Sequence, residues 1–338
     1  MVLVNFSLAI AGMGGEPEWK LALVHAMSGR AAATFVVLAG IGVALGSRRA
    51  RSSADPDVRF AARGKLLRRA AFLWVVGLAF APIWPPDILH YYGVYLGVAA
   101  ALLFRPSGEL FAWAAVTTLA SLPLILLLDY ETGWNFETLE YLDFWTPGGF
   151  LRNLLFNGFH PVVPWVAFLL LGMGLGRLDW SSPDLRRRLL IGAAAVAVVA
   201  EGLSAVLVPL ADRWDPSGDL AALVGREPMP ALPLYMLQGS SEALCAIVLS
   251  VSIARSFPPS RLVRAVIAVG RMALTAYIAH VVVGILPIVA SGWASPGDLV
   301  APFTATVAFA AVFLVFAPAW LSRRERGPVE AWMRRLAG

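Results

Sequence analysis

Leu299-Val-Ala-Pro-Phe-Thr-Ala-Thr-Val-Ala-Phe-Ala-Ala-Val-Phe-Leu-Val-Phe-Ala-Pro-Ala-Trp320 runs for 22 residues without a charged side chain, and Leu321-Ser-Arg-Arg-Glu-Arg-Gly327 follows at once. About 20 apolar residues in a helix cross the roughly 30 Å hydrocarbon core of a bilayer. The stretch therefore reads as a membrane crossing stopped by arginines. Comparable runs lie at approximately 1–14, 29–46, 66–84, 88–104, 109–128, 160–176, 189–210, 232–254 and 265–290. Together they predict an all-α, polytopic integral membrane helix bundle of about ten transmembrane segments, built as a single membrane-embedded domain over 1–338. The run 1–14 would cover only about 21 Å at the helical rise. No basic residues precede it as they would in a signal peptide, so it is expected to be the later part of a first membrane helix.

Composition agrees with the bilayer reading. Hydrophobic residues make up 59% of the chain and charged residues only 14%, against about 25% charged in an average soluble domain. Disulfide-rich secreted, fibrous and disordered classes are excluded. The lone Cys245 leaves no intramolecular disulfide and no cysteine-based metal cluster. Nucleic acid is not an expected partner, because no basic run with interleaved aromatics lies on a soluble domain.

The modest net charge of +5 hides a strong asymmetry. The 47–69, 177–188 and 255–264 loops and the tail after Trp320 carry the arginine clusters; with Arg105 and Arg271, that face holds 22 basic and 7 acidic residues. The opposite face holds 5 basic and 13 acidic residues. The positive-inside rule makes the arginine-rich face cytoplasmic. The expectation is a multi-pass protein of the inner (plasma) membrane with a cytoplasmic C-terminus. Most of these arginines would meet anionic lipid headgroups, while Arg68, Arg69 and Arg271, at helix ends, can hold a phosphate-bearing cosubstrate through bidentate bonds.

All four histidines, His25, His90, His160 and His280, fall away from the cytoplasmic loops. Imidazole suits proton transfer near neutral pH, so their shared depth points to an outward-opening reactive site; the alternative is that interfacial histidines merely tolerate that polarity. No HExxH or similar spacing appears, and no metal is expected. Glu201 and Glu242 lie within spans, where a charge needs a partner or a polar cavity. Glu242 with His280 is expected either as a structural pair or as part of a proton relay. Asp87, before His90, either caps the fourth helix or orients that histidine. In Asn157-Gly-Phe-His-Pro-Val-Val-Pro-Trp165, Pro161 and Pro164 are placed in the first helical turn, with Asn157 and His160 at its outer mouth.

Several strings resemble one family. Asn157-Gly-Phe-His-Pro-Val-Val-Pro-Trp-Val-Ala-Phe-Leu-Leu-Leu-Gly-Met-Gly-Leu-Gly-Arg177 is similar to a signature of the YeiB-like and heparan-α-glucosaminide N-acetyltransferase-like membrane proteins. Gly270-Arg-Met-Ala-Leu-Thr-Ala-Tyr-Ile-Ala-His280, Asp87-Ile-Leu-His-Tyr-Tyr-Gly-Val-Tyr-Leu96 and Arg326-Gly-Pro-Val-Glu330 resemble further motifs of the same group. The resemblance implies a transmembrane acyltransferase that uses acetyl-CoA or another acyl-CoA as cosubstrate. It implies a histidine in a His-Ala context after the first helix as the catalytic residue, which here is His25. The acceptor would be a glycan or envelope component, met amid membrane lipids. On this reading His25 is the general base, and Asn157 or another buried donor stabilises the oxyanion. Two other readings stand beside it: a transporter or lipid-binding protein of the same fold, with Glu201, Glu242 and His280 as a polar path, and a purely structural role.

Overall fold

The computed structural model describes residues 1–10, 24, 27–293 and 300–338. The architecture is helical, and the strands among the described residues are one short antiparallel pair, β1 (Trp134–Asn135) and β2 (Glu140–Tyr141). Two compact units divide the chain, Gly29–Ser252 and Met1–Ser28 with Ile253–Gly338.

Three helices of the 29–252 unit begin at residues whose side chains cap them. The first helix of the chain, α1 (Val2–Ile10), belongs to the other unit; here the series opens with α2 (Arg30–Gly46) and α3 (Pro56–Phe80). Asp55 caps α3 by accepting from the Asp57 N–H at 2.8 Å, and Pro56 occupies the first helical position, where its missing N–H leaves nothing unsatisfied. Next come α4 (Leu89–Ala101), α5 (Ser107–Leu127) and α6 (Pro147–Arg152), which runs into a π-helical turn, Asn153–Asn157. Then follow α7 (Val162–Leu175), α8 (Pro183–Trp214) and α9 (Pro233–Ser256). Ser182 and Pro183 start α8 as Asp55 and Pro56 start α3.

At the heart of this unit is α7, with 12 of its 14 residues buried. It packs against α2, α4 and α5, while α3 packs along α4. Pro161 sits just before α7 as its capping residue, and Val163 has extended backbone, so only Pro164 lies in the first regular turn. That corrects the expectation of two prolines inside it.

In the other unit, α10 (Arg261–Arg271) ends at Met272, and α11 (Ala273–Ser291) takes a new direction with a π-helical turn at His280–Ile285. The remaining helices are α12 (Val300–Leu321) and α13 (Pro328–Ala337). Ala268, Met272 and Ala317 form a small core that joins α10 to α12. The break after Met272 is closed by Glu330 on α13. Its carboxylate accepts from the Leu274 and Thr275 N–H groups at 2.8 and 3.0 Å and from the Thr275 hydroxyl at 2.5 Å. The orphan donors at a helix start need such an acceptor, and a lost cap costs about 0.5–2 kcal/mol. Glu330→Ala is expected to lower thermal stability by that order and to expose the 272–276 amides to hydrogen exchange. Unchanged exchange there would show that water serves as well as the carboxylate.

Five helices among the described residues are long and apolar enough to cross a membrane: α5, α8, α9, α11 and α12. A sixth is reached if α6 and its π-turn count with α7 as one span bent by 47°. Their outer surfaces confirm the solvent. Leu127 is 80% exposed, Val198 71% and Val315 73%; apolar surface on that scale belongs against lipid. The protein is a multi-pass membrane protein. The ten expected runs all contain helix, but α2 has 17 residues, α4 has 13, and the first half of α3 carries the charges of Arg59, Arg63, Lys65, Arg68 and Arg69.

Candidate functional site

A chain of aromatic and imidazole rings crosses the 29–252 unit and carries several of its buried polar atoms. It begins at Asp87. One carboxylate oxygen accepts from the Leu89 and His90 N–H groups at 2.8 and 3.3 Å and faces His90 Nδ1 at 3.3 Å. Asp87 thus both caps α4 and orients the histidine, uniting two roles that the sequence offered as alternatives. Asp87 and His90 are fully buried. With Nδ1 turned to the carboxylate, Nε2 is the free edge of the imidazole, and it is buried without a hydrogen-bond partner among the described residues.

From His90 the rings continue in contact. Tyr91 stacks on His90 at 4.0 Å between centroids and meets His160 edge-on at 6.0 Å. His160 abuts Trp165 at 4.6 Å, and Trp165 lies 5.9 Å from Tyr235 of α9. Along this chain His160 Nδ1, Trp165 Nε1 and the Tyr235 hydroxyl are also buried and without a hydrogen-bond partner among the described residues. Buried polar atoms are nearly always satisfied in folded proteins. Four unmet ones along one run of touching rings give that run polar groups able to meet a ligand or ordered water.

The π-helical turn sets the frame. It puts Asn153 and Asn157 on one side, and such turns recur at functional sites. Tyr91 donates to Asn153 Oδ1 at 2.6 Å, and Tyr95 to the His160 carbonyl at 2.6 Å. Gly158 is required by close approach, since a Cβ there would strike the Tyr91 hydroxyl and the Asn153 carbonyl. Asn157 is spent on the outer loop. Its amide donates to the Tyr130 and Thr132 carbonyls at 2.8 and 2.9 Å, and its oxygen accepts from Tyr141 at 2.7 Å. Burial pushes the Tyr141 phenol pKa up, so it remains a donor at neutral pH. Arg152 ties the same tyrosine to Asp143 through bonds of 2.7–2.9 Å. The loop 129–146 is thereby pinned over the ring chain.

A second polar group lies on α2, α8 and α9. Arg30 pairs with Glu242 at 2.8 Å, and Arg226 with Glu201 at 2.5 Å. Gln238 joins the two pairs, donating to Glu242 at 3.0 Å and Glu201 at 3.2 Å and accepting from Arg226 at 3.0 Å. Two cations balance two anions, which answers the cost of placing carboxylates within spans. Within this unit the ion-pair partner of Glu242 is Arg30.

His280 belongs to the other unit, where it is fully buried. Its Nε2 bonds the Asn5 side-chain nitrogen at 2.7 Å and its Nδ1 the Tyr277 carbonyl, so both ring nitrogens are engaged. Arg271 donates to the Glu325 carbonyl at 3.0 Å and so holds the tail in place. Arg68 is exposed and Arg69 half-buried, both on α3. His25 lies outside the described residues. The described residues contain no group of three or more potential metal ligands.

Sequence reasoning missed Tyr91, Asn153, Tyr235 and Gln238. Asn153 and Gln238 had a visible signal: each stands four residues before a polar residue already singled out, Asn157 and Glu242, a spacing that shares one helix face.

A family profile described as "Heparan-alpha-glucosaminide N-acetyltransferase, catalytic" matches residues 1–204. A second, described as "Protein of unknown function (DUF418)", matches residues 175–338. No curated protein and no solved structure gives a significant match.

Proposed function

The chain belongs to the heparan-alpha-glucosaminide N-acetyltransferase catalytic family, and from that membership we propose that it moves an acetyl or other acyl group from an acyl-CoA to an extracytoplasmic sugar or envelope acceptor. The proposal takes residues 1–338 as one acyltransferase-like domain of about ten crossings in the inner (plasma) membrane, with the arginine-rich face and the C-terminus cytoplasmic. The charge asymmetry of the loops supports that orientation.

The observation that carries the reading is the open Nε2 edge of His90, buried and oriented by Asp87. A carboxylate-held imidazole is a general base. In the proposed step the acceptor hydroxyl or amine adds to the thioester carbonyl while its proton passes to His90 Nε2. The C–S bond then breaks, and the imidazolium returns the proton to the departing thiolate. Trp165 Nε1–H and the Tyr235 hydroxyl are the buried donors free to meet the oxyanion. Asn157 would have to release a loop carbonyl to do so. His160 lines the site between Tyr91 and Trp165, and His25 holds a catalytic role by its motif. The acidic outer loops favour a neutral glycan or a lipid-linked sugar over a highly anionic polymer.

The test is transfer of radiolabelled acetyl from acetyl-CoA by the purified protein in vesicles supplied with lipid-linked and soluble sugars. His90→Ala and His25→Ala are each expected to slow transfer by about 10²-fold or more. Parental rates in His90→Ala would remove the dyad from the chemistry, and no transfer by the parent to any acceptor would remove the acyltransferase reading.

A further inference from the structure

Three guanidinium groups converge on the end of α4, around residues 100–105, and a fourth lies beside one of them, Arg177. Arg63 donates to the Ala100 carbonyl at 3.0 Å, and Arg177 to the Leu103 and Arg105 carbonyls at 3.2 and 2.6 Å. Arg59 and Arg63 lie over the Phe104 ring, 4.3 and 5.6 Å from its centre. Arg51, bound to the Ala44 carbonyl at 2.8 Å, is the fourth. Burial first, and then the charge of Arg51, hold the Arg177 pKa below its ordinary value.

These charges lack an answering anion. Among the described residues, the ion pairs involve Arg30, His90, Arg105, Arg152 and Arg226, and none of these four arginines. The carbonyls of one helix end supply only about half a negative charge. Arg177 Nε, moreover, is buried and has no hydrogen-bond partner among the described residues. Like charges crowded this way repel, and planar donor forks match the oxygens of a phosphate.

We propose that Arg51, Arg59, Arg63 and Arg177 form a binding site for phosphate groups. The phosphates belong either to a soluble nucleotide cosubstrate or to anionic lipid headgroups. The site displaces Arg68, Arg69 and Arg271 as the expected phosphate ligands. It rests on the acyl-transfer reading only in the choice of nucleotide probe.

The test uses the full chain in phosphatidylcholine nanodiscs and titrates adenosine 3′,5′-bisphosphate, with binding read by calorimetry and thermal shift. A parallel arm replaces the nucleotide with phosphatidylglycerol in the disc. Saturable stabilisation by either probe is expected, weakened about tenfold or more in Arg177→Gln and Arg59→Gln and unchanged in the exposed Arg335→Gln. Should Arg177→Gln fail to fold, Arg59→Gln carries the test, because its side chain stacks on Phe104 and holds no helix end. Stabilisation by the nucleotide assigns a soluble source, and by phosphatidylglycerol a lipid one. Stabilisation by neither, or equal stabilisation in the variants, overturns the site. No acyl group is present, so this failure is separable from a failure of acyl transfer.

Discussion

Asp87→Asn is expected to lower acyl transfer by about 10²- to 10⁴-fold while leaving the protein folded. The Leu89 N–H, the His90 N–H and His90 Nδ1 all face the same carboxylate oxygen, and an asparagine carbonyl placed there keeps the helix cap. What it removes is the negative charge that stabilises the imidazolium once His90 has taken the acceptor's proton. Asp87→Ala removes cap and charge together and is expected to cost about 1 kcal/mol of stability as well. Both variants should be compared by kcat and by thermal melting in the same detergent. If Asp87→Asn loses stability and activity in step, the carboxylate is a structural cap. If it loses neither, the dyad is not part of the reaction.

Gly172→Leu is expected to be strongly destabilising, at about 3 kcal/mol or more. At the crossing of α2 and α7 the backbones touch. A Cβ on Gly172 would run into the Val37 carbonyl, and one on Gly40 into the Leu169 carbonyl. Flexible side chains can move aside, but a carbonyl held in a helix cannot unless the helices separate. Small residues at such a crossing permit close packing without help from a hydrophobic driving force within lipid. Gly42→Leu, on the facing helix α2 with nothing within 4 Å of its Cβ position, is the control. It should melt with the parent. If Gly172→Leu also melts with the parent, the crossing has slack that this close contact does not suggest.

The Asp87–His90 pairing was legible because its determinant is local: Asp87 reaches His90 within a single turn. The helices that Asp55-Pro56 and Ser182-Pro183 start run ahead of the apolar stretches expected from 66 and 189, because their first turns carry charged side chains that hydropathy passes over. Long-range partners left no such mark. Arg30 pairs with Glu242 because α2 and α9 belong to one packed unit, and nothing beside Glu242 in sequence distinguishes Arg30 from His280 as its partner. The run 265–290 read as one span because hydropathy counts apolar side chains without seeing backbone breaks. The break at Met272 holds because Glu330, more than fifty residues away, supplies the acceptor for the new helix start. The same blindness explains the span count, since α4 has 13 residues and reaches only about 20 Å. Tyr235 reads as one more apolar aromatic until its hydroxyl is seen without a partner beside Trp165.

The arginines at the end of α4 carry a consequence for how this protein is inserted and how it is kept. During insertion, lysine and arginine count alike as retained charge. In the finished protein, Arg177 divides its two prongs between the carbonyls of Leu103 and Arg105, a task that a single ammonium does not reproduce. On the proposed orientation one residue is thus read twice, first as a sign and later as a shape. Lysine in its place would satisfy the first reader and fail the second, leaving a chain threaded correctly whose helix end is loose.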